Sequence, residues 1–416
     1  MIQFQQLSGA NAGAIVRLLA LVFTASLTSC APSSDPGTRG RAQTLLNIAT
    51  NQWTYIEVDS AKATWGDYAG PVRLRYFGLA AGDLNGDGNL DLVSGRNVYY
   101  NPGGDMTTHW TQSDLQQNVD ANLIYRLTGK EQPYILAESL PDVIRFRIDD
   151  NFKIHKGEVV AQVPLTGHQN GQGYKTADLL PGTGDDEIIY ASQGGLYVMD
   201  PTAASPWPVT LVGKDASGEG FGVADMDGDG DLDLISGFRE PDKDAKVPTA
   251  VVWFENPGSI TPDWARHPVG NTTFTTDRVE AADLNADGRT DVVVVGERYP
   301  GLEPDASLWV FLQTDTGFVR QSVVTQYSMN NLDVVDLDND GDQDLLTAEY
   351  KGPDPALQVW LNDGNANFSK QEIDRGKESH LGAQAFDLDG DGDLDIVSIG
   401  WAKHKFVHVW RNDAIR

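Results

Sequence analysis

A short acidic pattern returns along this chain at near-regular intervals, which restricts it to a repeat-built architecture. The pattern reads VADMDGDGDLDLISG from Val223, VVDLDNDGDQDLLTA from Val334 and AFDLDGDGDLDIVSI from Ala385. Two further copies, AGDLNGDGNLDLVSG from Ala81 and AADLNADGRTDVVVV from Ala281, carry one Asn in place of Asp. Two wide gaps hold weaker copies. YRLTGKEQPYILAES puts Arg126 where the first aspartate belongs and Lys130 at the third ligand position, and DLLPGTGDDEIIYAS opens at Asp178 with one extra residue. The seven starts recur about every 51 residues, a length that suits a four-stranded propeller blade.

The segments between motifs agree. An apolar run follows each good motif (DLISG, DVVVVG, DLLTAEY, DIVSIGW), then a second run (AVVWFEN, SLWVFLQ, LQVWLND, FVHVWRND), then a segment opening near an aromatic residue. β-Branched and aromatic enrichment in short runs, bounded by Asn, Gly and Pro, specifies strands. The aromatics Trp110, Phe152, Trp264, Phe318 and Phe368 recur at one repeat position and are expected to pack between blades. The last repeat stops after FVHVWRNDAIR without its outer strand, whereas an orphan strand, WTYIEVDS from Trp53, precedes the first motif. The expected fold is therefore all-β: seven four-stranded blades, with a strand at about Trp53 to Asp59 completing the last one and leaving no long open edge.

With 60 acidic against 31 basic residues the formal charge is −29, which argues against nucleic acid and against adsorption on anionic lipid. Hydrophobic residues at 40% and charged residues at 22% fit a soluble globular domain. One cysteine excludes a disulfide framework and a CxxC zinc site.

The carboxylates of the repeat sit at alternate positions of a tight loop, where they converge on one point. In the copy at Asp225, Asp227, Asp229 and Asp233, Gly230 permits the sharp turn and Asp231 offers a backbone carbonyl. An oxygen-only set with several carboxylates and flexible geometry selects calcium. The twelfth residue is Ser236 rather than Glu, so the ninth-position aspartate is expected to close the site. The other four expected sites are Asp83/Asn85/Asp87/Asp91, Asp283/Asn285/Asp287/Asp291, Asp336/Asp338/Asp340/Asp344 and Asp387/Asp389/Asp391/Asp395. About five structural ions result. None is expected at Asp178 or in the second repeat, where the Lys130 ammonium would substitute for the ion.

These repeats resemble the FG-GAP/VCBS family, the calcium-loop repeat of integrin α-subunit propellers and of many exported bacterial proteins. The D-x-[DN]-x-D-G-x-x-D core carries the resemblance over roughly residues 50–416, and Phe77-Gly78 and Phe221-Gly222 echo the "FG" element. SGR, SGF and GER replace the "GAP" element, which points to the bacterial branch. The resemblance implies calcium loops between the first and second strands of each blade, on one face.

Residues 1–29 hold one base, Arg17, directly before the apolar run Leu18 to Leu27, which is too short to span a bilayer and reads as a signal peptide. Leu27-Thr28-Ser29-Cys30 resembles a bacterial lipobox, so Cys30 is expected to be acylated and residues 30–50 to form a tether to a propeller at 51–416. The expected location is exported and lipid-anchored, at the outer membrane or cell surface, with no other membrane contact.

A ligand is then expected on the face opposite the calcium loops, built by residues just before each motif and by loops joining second and third strands. Asp120, Glu138, Glu219, Asp277, Asn331, Arg96, Arg298 and Lys351 lie there, and much of the limited Arg, Lys and His supply falls on this face. Two readings follow. The protein is a binding or scaffolding module for a glycan or protein, or it is a lyase acting on an anionic, uronate-containing polysaccharide. In the second case an arginine neutralises the carboxylate and a His or Tyr removes the α-proton, with His168, Tyr174, Arg239, Arg278, Tyr350 and His380 as candidates. No nucleophile elbow, H-E-x-x-H, P-loop or dinucleotide fingerprint occurs.

Overall fold

The computed structural model describes residues 52–62, 78–165, 173–180, 182, 184–192, 194–216, 219–238, 249–298, 301–377, 382–400 and 405–414. Among these residues there are 28 strands and no helix. The strands form seven antiparallel four-stranded sheets arranged as the blades of a ring. Blades 1 to 6 occupy 80–114, 120–162, 173–214, 222–272, 275–326 and 333–375, and blade 7 combines 384–412 with 53–59. The expected propeller is the observed one, including both weak repeats, whose first and second strands are Asp120–Tyr125 with Tyr134–Ser139 and Gly173–Ala177 with Glu187–Ser192.

Strand composition follows depth in the blade. In blade 5 the second strand, Asp291–Glu297, is buried at every position, and its run of valines suits a strand covered on both faces. The outermost strand, Gly317–Gln326, has only its last residue buried. First strands of neighbouring blades lie side by side around the channel, and several are only three residues long, as in Ala80–Gly82 and Gly222–Ala224. Glycine is required where these strands enter the ring. A Cβ on Gly78 would stand 2.0 Å from the Ala121 carbonyl oxygen of blade 2, and one on Gly173 would stand 1.8 Å from that of Glu219.

The outermost pair carries a register shift in six of the seven blades. Such bulges raise local twist and turn the outer edge away from edge-to-edge pairing.

Closure occurs as the orphan strand implied. Trp53–Asp59 pairs antiparallel with Val407–Asn412, with Trp53 opposite Asn412 and Tyr55 opposite Trp410. Thr54 Oγ1 donates to Asp413 at 2.6 Å, and the Asp413 N–H donates to the Gln52 carbonyl at 2.7 Å. Ile56 and Val58 of this strand join Leu79, Leu92 and Trp110 of blade 1 and Leu388, Val397 and Val409 of blade 7 in one buried cluster. The first and last blades thus share a core as other neighbours do.

The repeated aromatics do pack between blades. Trp110 and Trp264 are buried against Leu388 and Leu179 of the preceding blade, and Phe368 packs in the cluster containing Leu284. Phe152 differs. It sits in the turn before the outer strand of blade 2 rather than at the strand, takes a left-handed backbone (φ 58°), and lays its ring over Gly86 of blade 1 while remaining 37% exposed.

Candidate functional site

Each acidic loop joins the first and second strands of its blade. In the blade 4 loop, Asp225 accepts from the N–H groups of Gly228 (2.7 Å) and Gly230 (3.0 Å), and Asp229 accepts from Asp231 N–H (2.9 Å). Both glycines have left-handed backbones, with φ of 79° and 96°. This winding gathers the alternate carboxylates. Ligand oxygens of Asp225, Asp227 and Asp229 lie within 4.8 Å of one another, as do those of Asp336, Asp338 and Asp344, and of Asp387, Asp389 and Asp391. Each grouping holds three of the four aspartates expected for its loop; Asp233, Asp340 and Asp395 stand outside it.

The loops with Asn85 and Asn285 wind in the same way: Gly86 and Gly88 donate to Asp83, and Asp287 and Gly288 donate to Asp283. With Asn at position three, these loops offer three carboxylates and one amide oxygen rather than four carboxylates. Asp87 is exposed, and its oxygens accept from Asn85 Nδ2, Asn89 N–H and Asn89 Nδ2, each at 2.9 Å. Asp287 accepts from Asn285 Nδ2 at 3.3 Å and Arg289 Nη1 at 3.2 Å.

The donor set of the three gathered loops fits a hard divalent cation. Oxygens are the sole ligand type and several are carboxylate. Asp338 Oδ1 is buried with no hydrogen-bond donor, an acceptor that a cation would satisfy. Burial, followed by the charges of Asp340 and Asp336, pushes Asp338 up to about 6. Burial likewise raises Asp227, Asp336 and Asp389, and neighbouring aspartates add to each.

The ninth-position aspartate, expected as a closing ligand, has a structural task in the loop itself. Asp233 accepts from Met226 N–H at 2.9 Å and from Asn256 N–H at 2.8 Å, which fastens the loop to the end of the third strand. Asp91, Asp291, Asp344 and Asp395 make the equivalent pair of bonds. Desolvation raises all five, from about 6 for Asp233 and Asp291, through about 7 for Asp91 and Asp344, to about 8 for Asp395.

A residue at the end of the third strand then reaches the neighbouring blade. Asn256 Nδ2 donates to the Leu179 carbonyl of blade 3 at 2.8 Å, Gln313 Nε2 to Met226 of blade 4 at 3.0 Å, and Asn362 Nδ2 to Leu284 of blade 5 at 2.8 Å. Across the closure, Asn101 Nδ2 donates to Leu388 of blade 7 at 2.8 Å. The accepting residue is each time the second residue of the neighbour's loop. A hydrogen-bonded belt therefore links loop, aspartate and amide from blade 3 to blade 6. Its sequence signal was the amide that ends NVYYN, AVVWFEN, FLQ and LQVWLN.

The two weak repeats keep different parts of this machinery. In blade 3, Glu187 reaches back to Leu179 N–H at 2.9 Å, so the extra residue is absorbed by a longer acid and the brace survives. In blade 2, the brace position is Tyr134, stacked on Tyr125 at 5.2 Å. Lys130 does not stand in for an ion. It is exposed and makes no ion pair among the described residues; the loop is held instead through Thr128, which donates to Asp185 and to the Gly184 carbonyl of blade 3.

A cavity of about 310 Å3 opens in the channel between blades 3 to 7, lined from Gly173 and Gly220 at the entry of first strands down to Val335 and Phe386 beside the acidic loops. Tyr174, Arg278 and Asn331, all placed by the sequence on the ligand face, line it. Tyr350 does not; its ring carries the Lys351 ammonium 3.7 Å from its centroid. His168, Arg239, His380 and Cys30 lie outside the described residues. Among the described residues, the bases of this face do not form an open cationic surface. Arg278 Nη1 stands 3.5 Å from Asp277 and 3.6 Å from Glu219, Arg96 pairs with Asp114 at 2.8 Å, and Arg298 with Asp305 at 3.4 Å. The acids expected on the same face, Asp120, Glu138, Glu219 and Asp277, are buried. Tyr174 Oη accepts from Leu79 N–H at 3.1 Å, and burial, then Asp120, pushes its phenol well above the ordinary range. Lys175 and Glu280, bonded through both carboxylate oxygens at 2.6 Å, also line the cavity and were missed. Their signal was a charged residue in a first strand that faces the channel.

Ring, closure and acidic hairpins define a seven-bladed β-propeller. Residues 336–398, from the blade 6 loop through the second strand of blade 7, match the family model described as FG-GAP-like repeat. No curated protein matches the chain in sequence. Among solved structures, an Agrocybe aegerita lectin described as recognising non-reducing terminal N-acetylglucosamine superposes with TM-score 0.50 at 17% identity, covering 79% of this chain and 92% of its own. BBS1N in complex with ARL6DN superposes with TM-score 0.51 at 12% identity, covering 86% and 97%. At such identities the likeness concerns the fold alone.

Proposed function

We propose that this chain is a calcium-stabilised binding module, exported and tethered through acylated Cys30 at a bacterial outer membrane or cell surface. Its ligand, a glycan or a protein, is held at the channel mouth away from the acidic loops. The observation that carries the ligand site is the convergence of Tyr174, Arg278 and Asn331 on one cavity. The three-carboxylate groupings and the donorless Asp338 oxygen support calcium. The anchor and location rest on the apolar run and the Leu27–Cys30 segment. A lectin and a protein complex among the neighbours of the fold are in keeping with either ligand type.

The lyase reading asks for a base beside an available arginine. Among the described candidates, Tyr174 resists deprotonation because it is buried, and Arg278 is held between two carboxylates, so these two serve binding rather than proton abstraction. The test of the binding reading exposes the calcium-loaded chain to cationic, neutral and anionic polysaccharides, with co-sedimentation and ultraviolet absorbance followed together. Binding without new absorbance is expected, and it should be lost in an Arg278→Ala, Asn331→Ala double variant. Absorbance from an unsaturated uronate would make the protein a lyase. Undiminished binding by the double variant would move the ligand off this cavity.

A further inference from the structure

We infer that the channel cavity selects a small organic cation, an ammonium borne on a sugar-sized ligand, and rejects carboxylate-bearing glycans. The inference rests on the cavity being the ligand site proposed above and names the chemistry of what enters it.

Lys175 projects from the first strand of blade 3, Gly173–Ala177, and meets Glu280 on the first strand of blade 5, Thr275–Ala282. Both Glu280 oxygens are 2.6 Å from the ammonium. Asp333, on the first strand of blade 6, lines the same cavity and acts on both through its charge. Its hydrogen bonds come from the N–H groups of Val334 (3.1 Å) and Ala385 (3.0 Å), which favour the charged carboxylate against the burial that raises its pKa. The cavity thus holds one ammonium, bonded to Glu280, and a second carboxylate beyond that pair, and with both carboxylates ionised the three groups sum to one negative charge. Arg278 does not redress the balance, because Asp277 and Glu219 already flank it.

A charge withdrawn from water favours an opposing charge far more than a surface group does. Glu280 is 20% exposed and Lys175 33%, so the triad is only partly hydrated. An incoming ammonium completes a two-against-two arrangement, whereas an incoming carboxylate adds a third anion around one cation. Tyr174, Phe221 and Phe386 line the same cavity, and aromatic faces favour organic cations over anions. A volume of about 310 Å3 lies at the small end for ligand pockets, which suits one terminal ring of an oligomer rather than an internal polymer segment.

The test compares glucosamine, N-acetylglucosamine and glucuronate oligomers, which differ in charge at similar size, by calorimetric titration of the whole calcium-loaded chain at neutral pH. The glucosamine oligomer should bind about tenfold more tightly than the neutral one, and the glucuronate oligomer least. Asp333→Asn should abolish that preference while binding of the neutral oligomer is retained, and Lys175→Met should strengthen glucosamine binding. Glucuronate binding first, equal binding of neutral and cationic oligomers, or a preference surviving Asp333→Asn would each overturn the inference while leaving a binding module standing. Displacement of the glucosamine oligomer by calcium beyond the effect of matched ionic strength would reassign the triad to a metal ion and overturn it as well. Failure of all three oligomers overturns it too, and the wider polysaccharide panel then decides the broader reading.

Discussion

Asp233 and Asp227 belong to one loop yet hold different things. Asp233 is buried and accepts two backbone N–H groups, so Asp233→Ala leaves two donors without partners and should cost roughly 3 kcal/mol even in chelator. Asp227 is exposed, and Asp227→Ala should cost less than about 0.5 kcal/mol in chelator while removing most of the calcium-dependent gain from that blade. Urea melts with and without EGTA separate the two. A third residue tests the winding itself. Position four of each loop is left-handed, yet blade 5 places Ala286 there with φ of 56°. Ala286→Gly relieves that strain and should raise stability by about 1 kcal/mol, read as an upward shift in melting temperature.

At the scale of strands and loops, the closing strand and the amide belt do what no repeat can do alone. Removal of Trp53–Asp59 would uncover Val407–Asn412, leave Leu79 and Leu388 without Ile56 and Val58, and give a chain that aggregates; light scattering checks this. Asn256→Ala cuts the bond to blade 3 and orphans a buried carbonyl, with an expected loss of about 1 to 3 kcal/mol. Much of this level was legible in sequence. Regular motif spacing with β-branched runs specified blades, and the missing outer strand paired with an orphan one specified closure. The belt was not, because a hydrogen bond to a neighbour's carbonyl imposes an amide but no spacing. The cavity was legible only in part: Tyr174, Arg278 and Asn331 follow from their place before a motif, whereas Lys175 and Glu280 are ordinary strand residues until the ring brings blades 3 and 5 together. Lys130 was not legible because occupying a ligand position in an alignment does not aim a side chain inward, and this one is exposed.

For the molecule as a whole, charge dominates. Five loops concentrate carboxylates in a chain of net charge −29, so chelation should lower the melting temperature and added sodium chloride should recover part of the loss by screening. A melt unchanged by EGTA would remove the case for structural calcium. The channel adds a pH term of its own. Burial raises Glu280 from 4.5 to about 6, against the opposing pull of Lys175. The folded state therefore holds that proton more tightly than the unfolded chain, and the contribution is present below about 4.5 and lost as pH rises to about 6, an effect of roughly 2 kcal/mol. Denaturant midpoints across that window should show the fall in the wild type and less of it in Glu280→Gln.

The pairing of Thr54 with Asp413, 359 residues apart, also fixes an order of events. Blades 1 to 6 are each built from one continuous stretch of chain and can form as that stretch becomes available, whereas blade 7 waits for both ends. Its contacts are the most non-local in the molecule and carry the largest loop-closure entropy. Ring closure is thus expected as the late step of folding. Until it happens, the first and last blades expose the faces they later share, and a chain caught before closure is prone to aggregate through them.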